Sequence, residues 1–348
     1  MIKNLYTASG WVNIPAIRQF MTENKIPFLF CWGGRGIGKT YGALKDARER
    51  AIADPEGKHK FMLVRRMQSQ VDIISKQELS PFKRIDLDHG FFTECKPVSK
   101  FTTGFWSDET LLGYVAALST FSNLRGFDAS DVDLIVFDEF IPESHEKPIR
   151  NEHAALLNLY ETVNRNRELN GMPACLLMCY ANSNNISNAI FSGLGLIDTV
   201  DNMQRKHRQS WVIRDRGILL LNLNASPISL QKSKTALYRL AGSQSDYSQM
   251  ALSNSFRSDT GSKIGSRNIS EYIPLITVGA LCIYEHKQNG TYYVCDLVSG
   301  SPETYGANKT ELLRFKSQNI WLWREYMRGN IVFRSLEIEI MFQNYFKT

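Results

Sequence analysis

The stretch Gly33-Gly34-Arg35-Gly36-Ile37-Gly38-Lys39-Thr40 has the residue types and spacing to hold a polyphosphate. It reads G-x-x-x-x-G-K-T, a complete phosphate loop. Glycines let backbone N–H groups curl around an anion with no Cβ in the way. A helix starting near Lys39 adds its positive end to the same site. In this pattern Lys39 reaches the β- and γ-phosphates, and Thr40 holds Mg²⁺ through its hydroxyl. Gly33 through Tyr41 are therefore the expected contact segment for ATP, with Mg²⁺ as its companion ion.

A second segment supplies carboxylates. Leu134-Ile135-Val136-Phe137-Asp138-Glu139 is an apolar strand ending in two acids. Asp138 is expected to complete the Mg²⁺ shell and Glu139 to polarise an attacking water. A glutamate beside the metal aspartate favours hydrolysis over transfer to a protein hydroxyl. Asn182 follows another apolar run, Cys175–Ala181, and reads as a sensor of the terminal phosphate or as a turn cap. Charge on a transferring phosphoryl group also calls for an arginine. Arg165 and Arg167 end a helical pattern, Arg125 sits in Asn-Leu-Arg-Gly, and Arg35 lies within the loop itself. Arg65-Arg66 closes a strand and reads equally as a strand-end charge pair.

These groups need a scaffold that brings strand ends together. Apolar runs at Phe28–Trp32, Phe61–Arg65, Leu111–Leu118, Leu134–Phe137 and Cys175–Ala181 predict strands. Helical patterns fall near Ile14–Asn24, Val71–Glu78, Tyr41–Ala51 and Asn151–Asn166. Strands alternating with helices predict a mainly parallel α/β sheet covered on both faces. Phe91–Leu118 is open to a second reading, a β-meander inserted into that sheet. Past residue 200 the texture changes. A Ser/Asn/Gln-rich tract over Ser243–Ser270 reads as linker or loop, and an Asn289-Gly290 turn predicts a hairpin of Leu275–Glu285 with Thr291–Val298. Helical patterns follow near Leu312–Met327 and Leu336–Phe346. The expected division is a P-loop ATPase domain over 1–228, a linker over 229–256 and a smaller α+β domain over 257–348.

Size and composition bound the rest. At 348 residues, with 43% hydrophobic and 22% charged content, the chain suits two ordinary globular domains. No apolar run approaches the roughly 20 residues that span a bilayer, and Met1–Tyr6 lacks a secretory pattern, so a cytosolic location and no membrane partner are expected. Five of the six cysteines (Cys31, Cys175, Cys179, Cys282, Cys295) fall in strand-like apolar segments and read as small hydrophobes rather than metal ligands. Between residues 201 and 240, Arg205, Lys206, Arg208, Arg214, Arg216, Lys232, Lys234 and Arg239 face only Asp201 and Asp215. That stretch carries the chain's whole net charge of +6. A solvated surface and a polyanion-binding surface are both consistent with it.

The phosphate loop, Val64-Arg65-Arg66, Ile135–Ile141, Ala154–Leu159 and Thr162-Val163-Asn164-Arg165-Asn166-Arg167 together resemble the DNA-packaging ATPases of small phi29-like tailed phages. The likeness is clearest over residues 28–195, and the Arg-Asn-Arg segment is its most particular feature. It implies an ASCE-type P-loop motor, a homo-oligomeric ring of five subunits at the portal vertex of a procapsid, driving double-stranded DNA inward. It implies Arg165 as an arginine finger acting on the neighbouring subunit's nucleotide, Arg125 as a further basic residue across that interface, and Glu139 as the catalytic glutamate. It implies an RNase H-like, vestigial-nuclease second domain, and a life in the host cytoplasm with transient docking on the procapsid. Grip on DNA phosphates would be insensitive to sequence and steeply salt-dependent. The basic stretch does not separate DNA from a structural packaging RNA as partner. Two rivals stand beside this reading: a terminase large subunit with an active C-terminal nuclease, and a nucleotide-switched assembly protein without motor activity. For the nuclease, Glu285, Asp296 and Glu303 are the available carboxylates, and two-metal cleavage needs them clustered.

Overall fold

The computed structural model describes residues 2–54, 56–124, 126–142, 146, 148–182, 186, 188–223, 226–232, 234–241, 263–300 and 302–347. It divides into two compact units. One holds the described residues up to Leu194 and those from Met203 to Ala241; the other holds Gly195–Asn202 and the described residues from Lys263 onward. The second unit thus takes in a segment far upstream of residue 257, where the sequence division begins its last domain. Helices Pro227–Lys232 and Ala236–Ala241 occupy the start of the expected linker. Its remainder, residues 242–256, and most of the Ser/Asn/Gln-rich tract lie outside the described residues.

The first unit is built on nine strands: β1 (Phe28–Gly33), β2 (Lys60–Arg65), β3 (Glu94–Ser99), β4 (Thr102–Ser107), β5 (Thr110–Ala117), β6 (Val132–Asp138), β7 (Leu176–Ala181), β8 (Ser210–Ile213) and β9 (Ile218–Leu223). Their order is β3-β4-β5-β2-β6-β7-β1-β9-β8. The run β5-β2-β6-β7-β1-β9 is parallel throughout, and only the edges turn antiparallel. This is the mainly parallel α/β sheet the alternation predicts. Every residue of β6 and β9 is buried, because a parallel sheet covered on both faces leaves no polar side. Residues 94–117 do form a meander, but β5 turns parallel to β2, so the meander extends the sheet at its edge rather than interrupting it. β8 and β9 are strands of this unit that the sequence reading missed, and β9 is the one that touches the site. It runs beside β1 from Phe28↔Ile218 to Gly33↔Leu223 inside the stretch read only for its charge.

Local signals explain the helices that frame the sheet. Asn13 caps helix Ile14–Glu23, accepting from the Ala16 N–H, with proline in its first turn. Helix Lys39–Ala53 presents Ala43, Leu44, Ala47 and Ala51 to the sheet. Helix Glu152–Asn164 buries Leu156, Leu159 and Val163. Among the described residues no helix is long and apolar enough to cross a membrane.

The second unit has six strands: β10 (Lys263–Ile264), β11 (Tyr272–Val278), β12 (Leu281–His286), β13 (Tyr292–Cys295), β14 (Glu303–Tyr305) and β15 (Ile331–Phe333), in the order β10-β15-β13-β12-β11-β14. The Asn289-Gly290 turn joins β12 to β13, with Gly290 at φ +64°. The expected strand Leu275–Glu285 is instead two strands, folded back at Gly279, which takes φ +52° and sets Val278 opposite Leu281. The expected helix Leu312–Met327 is likewise two, Lys309–Gln318 and Ile320–Met327. They are broken at Asn319, whose side-chain amide donates to the Tyr305 hydroxyl.

Candidate active site

β1 ends where the phosphate loop begins. Gly33 sits so close to β9 that a Cβ there would lie 2.6 Å from the Leu223 Cβ. Gly36 and Gly38 take φ of +63° and +92°, which strain any side-chain-bearing residue. Gly38 is the N-cap of helix Lys39–Ala53 and makes no side-chain cap, so the helix opens its first N–H groups toward the loop. An N-terminal segment braces this turn: the Val12 N–H donates to the Ile37 carbonyl at 3.1 Å, and the Trp11 indole lies against Gly38.

Lys39 is 4% exposed and donates from Nζ to the Gly33 and Gly34 carbonyls at 3.0 and 2.8 Å. Burial pulls its pKa down to about 8, with nearby Lys232 and Arg35 acting the same way against Cys31 and Asp138. An ammonium so placed, beside other cations, favours an incoming polyanion.

The Thr40 hydroxyl donates to Asp138 Oδ1 at 2.9 Å, joining two residues 98 apart in sequence. Asp138 is buried at the end of β6, and its other oxygen meets Arg65 Nη2 at 3.1 Å. A hydroxyl and a carboxylate side by side at the mouth of a phosphate loop are hard oxygen donors that fit Mg²⁺. Thr40 and Asp138 are the residues that would hold it.

Arg65 also donates from Nη1 to Glu139 Oε2 at 2.7 Å, so one guanidinium spans both acids. The register explains this. Val64 of β2 pairs with Phe137 of β6, which brings Arg65 level with Asp138. Glu139 itself takes φ +60°. β7 lies between β1 and β6, pairing Ala181 with Trp32 and Tyr180 with Asp138, so Asn182 emerges between the phosphate loop and the acids.

The structure therefore brings together Gly33–Thr40, Asp138, Glu139 and the strand end bearing Asn182. Tyr41 is turned aside, its hydroxyl bonded to Asp88 at 3.1 Å and its ring beside His89. Arg125 lies outside the described residues. Arg165 is not part of its own chain's site. Its guanidinium donates to the Phe127 and Thr162 carbonyls and faces Asp128, while Arg167 donates to the Ser130 and Val132 carbonyls at the start of β6. Asp138 closes the same strand six residues on, roughly 20 Å away. Lys232 is the site residue that sequence reasoning passed over, and Arg65, read there as a strand-end charge, has its bridge to the two acids only because β2 lies beside β6. Nothing in the spacing pointed to Lys232, whose Nζ donates to the Arg35 carbonyl.

In the second unit the three carboxylates are apart. Glu285 stands opposite Tyr292, and Asp296 lies four residues beyond Tyr292, roughly 13 Å along the strand. Asp296 is paired with Arg334, and Glu303 accepts from the Tyr305 hydroxyl at 2.7 Å. Among the described residues no group of three or more His, Cys, Asp and Glu side chains is arranged to hold a metal ion.

With this geometry in hand, the chain was compared with known proteins. It is 29% identical over 240 residues to the DNA packaging protein of Bacillus phage B103, covering 69% of this chain and 67% of that protein. It is 28% identical over 232 residues to the DNA packaging protein of Bacillus phage phi29, covering 66% of this chain and 62%, under two thirds, of that relative. The solved bacteriophage Phi-29 viral genome packaging motor assembly contains a chain of the same fold, with TM-score 0.67 and 23% identity over 94% of this chain and 97% of that one. The profile of the podovirus DNA encapsidation protein (Gp16) matches residues 15–320, and by that match this chain belongs to the Gp16 family.

Proposed function

We propose that this chain is an ATP-driven translocase that packages double-stranded viral DNA into a preformed procapsid. The observation that carries the reading is the convergence of Lys39, Thr40, Asp138 and Glu139 at the ends of β1 and β6, in a chain of the Gp16 family. An additional strand, β7, between the phosphate-loop strand and the acidic strand supports the ASCE class of ATPase. Lys39 and the loop N–H groups bind the phosphates. Thr40 and Asp138 would hold Mg²⁺, which would supply positive charge to offset that of the phosphates. Glu139 orients and deprotonates water, Arg65 restrains that carboxylate, and Asn182 faces the terminal phosphate. Arg165, remote from its own site, supports action in trans within a homo-oligomeric, pentameric ring, with Arg125 as a second basic residue at that interface.

The unit of described residues up to Leu194 and from Met203 to Ala241 is the ATPase domain, and the unit of Gly195–Asn202 with the described residues from Lys263 onward is an RNase H-like nucleic-acid-binding domain. The meander β11–β12–β13, with parallel β14 beside β11, supports that last assignment. The separation of Glu285 from Asp296 favours a domain that grips nucleic acid over one that cuts it. The ring docks on the portal protein of the procapsid in the host cytoplasm, with duplex DNA as cargo and a structural RNA as a further possible bridge.

The test is Glu139→Gln in the full chain, assayed with procapsids and duplex DNA. Mg-ATP binding should persist while turnover falls by about 100-fold or more and packaging stops. Turnover at the wild-type rate would remove Glu139 from its role. A wild-type chain whose turnover never responds to DNA and procapsids would refute the motor.

A further inference from the structure

Helix Pro227–Lys232 follows directly on β9, the strand beside β1, and its last residue returns to the phosphate loop. The Lys232 Nζ donates to the Arg35 carbonyl and lies 2.6 Å from where a Cβ on Gly36 would stand. Its ammonium is thus at the bend of the loop, in the space that a side chain at position 36 would fill. The Tyr238 ring lies 6.0 Å from Nζ. Among the described residues no carboxylate pairs with it. Burial and the Arg35 charge hold its pKa below the ordinary lysine range.

A neutral carbonyl is a weak partner for a half-buried ammonium that stands near two further cations, Lys39 and Arg35. Asp138 is already engaged by Arg65 and Thr40, so it is not available to balance this charge. An anion of high charge at the loop would balance it. Each ammonium has three donors, so Lys232 can turn from the Arg35 carbonyl to a phosphate oxygen.

We propose that Lys232 is a second phosphate-binding lysine of this site, supplied in cis by the segment after β9, with the polyphosphate of a nucleoside triphosphate as its ligand. The inference rests on the ATPase reading and adds to it. The motif's own lysine, Lys39, comes from the helix that starts the site. Lys232 comes from the end of the sheet's opposite flank, so its engagement ties the basic segment 227–241 to the occupancy of the loop.

Binding of a non-hydrolysable Mg-ATP analogue and of adenosine to the full chain tests this, using wild type, Lys39→Ala, Lys232→Ala, Lys232→Gln and Lys232→Arg, with thermal melting to confirm folding. Lys232→Ala and Lys232→Gln should each weaken the triphosphate analogue by about tenfold and leave adenosine unchanged, while Lys232→Arg keeps most of the affinity. Wild-type affinity in Lys232→Gln would overturn the proposal, because a neutral donor would then suffice to cap the Arg35 carbonyl. If wild type binds and only Lys39→Ala fails, the ATPase site stands and this inference alone falls. If wild type itself does not bind, both fall. A footprint independent of any variant's folding is acylation of Lys232 in the wild-type chain, which the analogue should suppress; labelling at the same rate with and without it would also overturn the proposal.

Discussion

Lys39 shows how the site stores an unfavourable charge for a ligand to relieve. Its pKa falls from 10.5 to about 8, chiefly through burial. A base depressed in the native state loses its proton at lower pH than the same base in the unfolded chain. Between pH 8 and 10.5 the unfolded state binds more protons, so this group's contribution to stability rises with pH across that window. Below pH 8 the cost of the buried ammonium is present in full, up to about 3 kcal/mol at 1.36 kcal/mol per unit. Lys39→Met keeps the length and removes the charge. It should therefore be more stable than wild type at pH 7, with the gap closing toward pH 10.5 in denaturant titrations. A gap that does not move with pH would mean that Lys39 is solvated. Neighbouring strain follows the same logic. Glu139 and Arg165 sit at φ +60° and +46°, conformations costing about 1–3 kcal/mol each for residues with a Cβ. Both are residues to which the proposed function gives a catalytic part.

At the level of elements, one buried ion pair ties the end of β2 to the helix that leads into Arg165. Arg66, fully buried, donates from Nε and Nη2 to the two Glu152 oxygens at 2.6 and 3.1 Å, and from Nη1 to Glu146 at 3.2 Å. Arg65, one residue earlier, holds Asp138 and Glu139. Glu152 opens a 13-residue helix whose far end is Arg165, about 20 Å along. Glu152→Ala takes the two-oxygen partner from the fully buried Arg66 and leaves it with Glu146, so it should cost about 3 kcal/mol of unfolding free energy, and the double change Arg66→Met/Glu152→Leu should recover part of it. A single-variant loss below about 1 kcal/mol, the range of a surface pair, would show that the pair is not the tie. The strands of this unit were legible because fully buried parallel strands are continuous apolar runs bounded by polar residues, as in Leu134–Phe137. β9 was as apolar but lies in a stretch read only for its flanking basic residues. Gly279 and Asn319 were missed because a two-residue fold-back and a helix break depend on backbone angles that periodicity does not report. The loop lysine, Thr40 and the acids were legible from motif spacing. The Arg65 bridge and Lys232 were not, since each depends on which strands are neighbours, and strand order is a property of the whole sheet.

For the whole molecule, the separation of Arg165 from Asp138 decides what kind of assembly can work. The active-site residues gather where β1, β6 and β7 end, and Arg165 and Arg167 lie where β6 begins. Roughly 20 Å of strand separates the two ends of β6, so on the proposed reading an arginine at the far end would serve a nucleotide on another copy. A head-to-tail contact repeated around the proposed ring would meet that need, each copy offering its arginine end to the next copy's loop. Complementation follows from this asymmetry. Arg165→Ala retains a complete phosphate loop and lacks the arginine; Lys39→Ala retains the arginine and lacks a working loop. Each alone should hydrolyse ATP at a small fraction of the wild-type rate. Mixed and reassembled in equal amounts, roughly a quarter of interfaces pair an intact loop with an intact arginine. Turnover should then rise above either parent and peak at equal mixing. Measured against mixing ratio, a flat line at the parental rates would place the working arginine elsewhere, and a rise when Arg165→Ala is mixed with itself at higher concentration would remove Arg165 from the reaction.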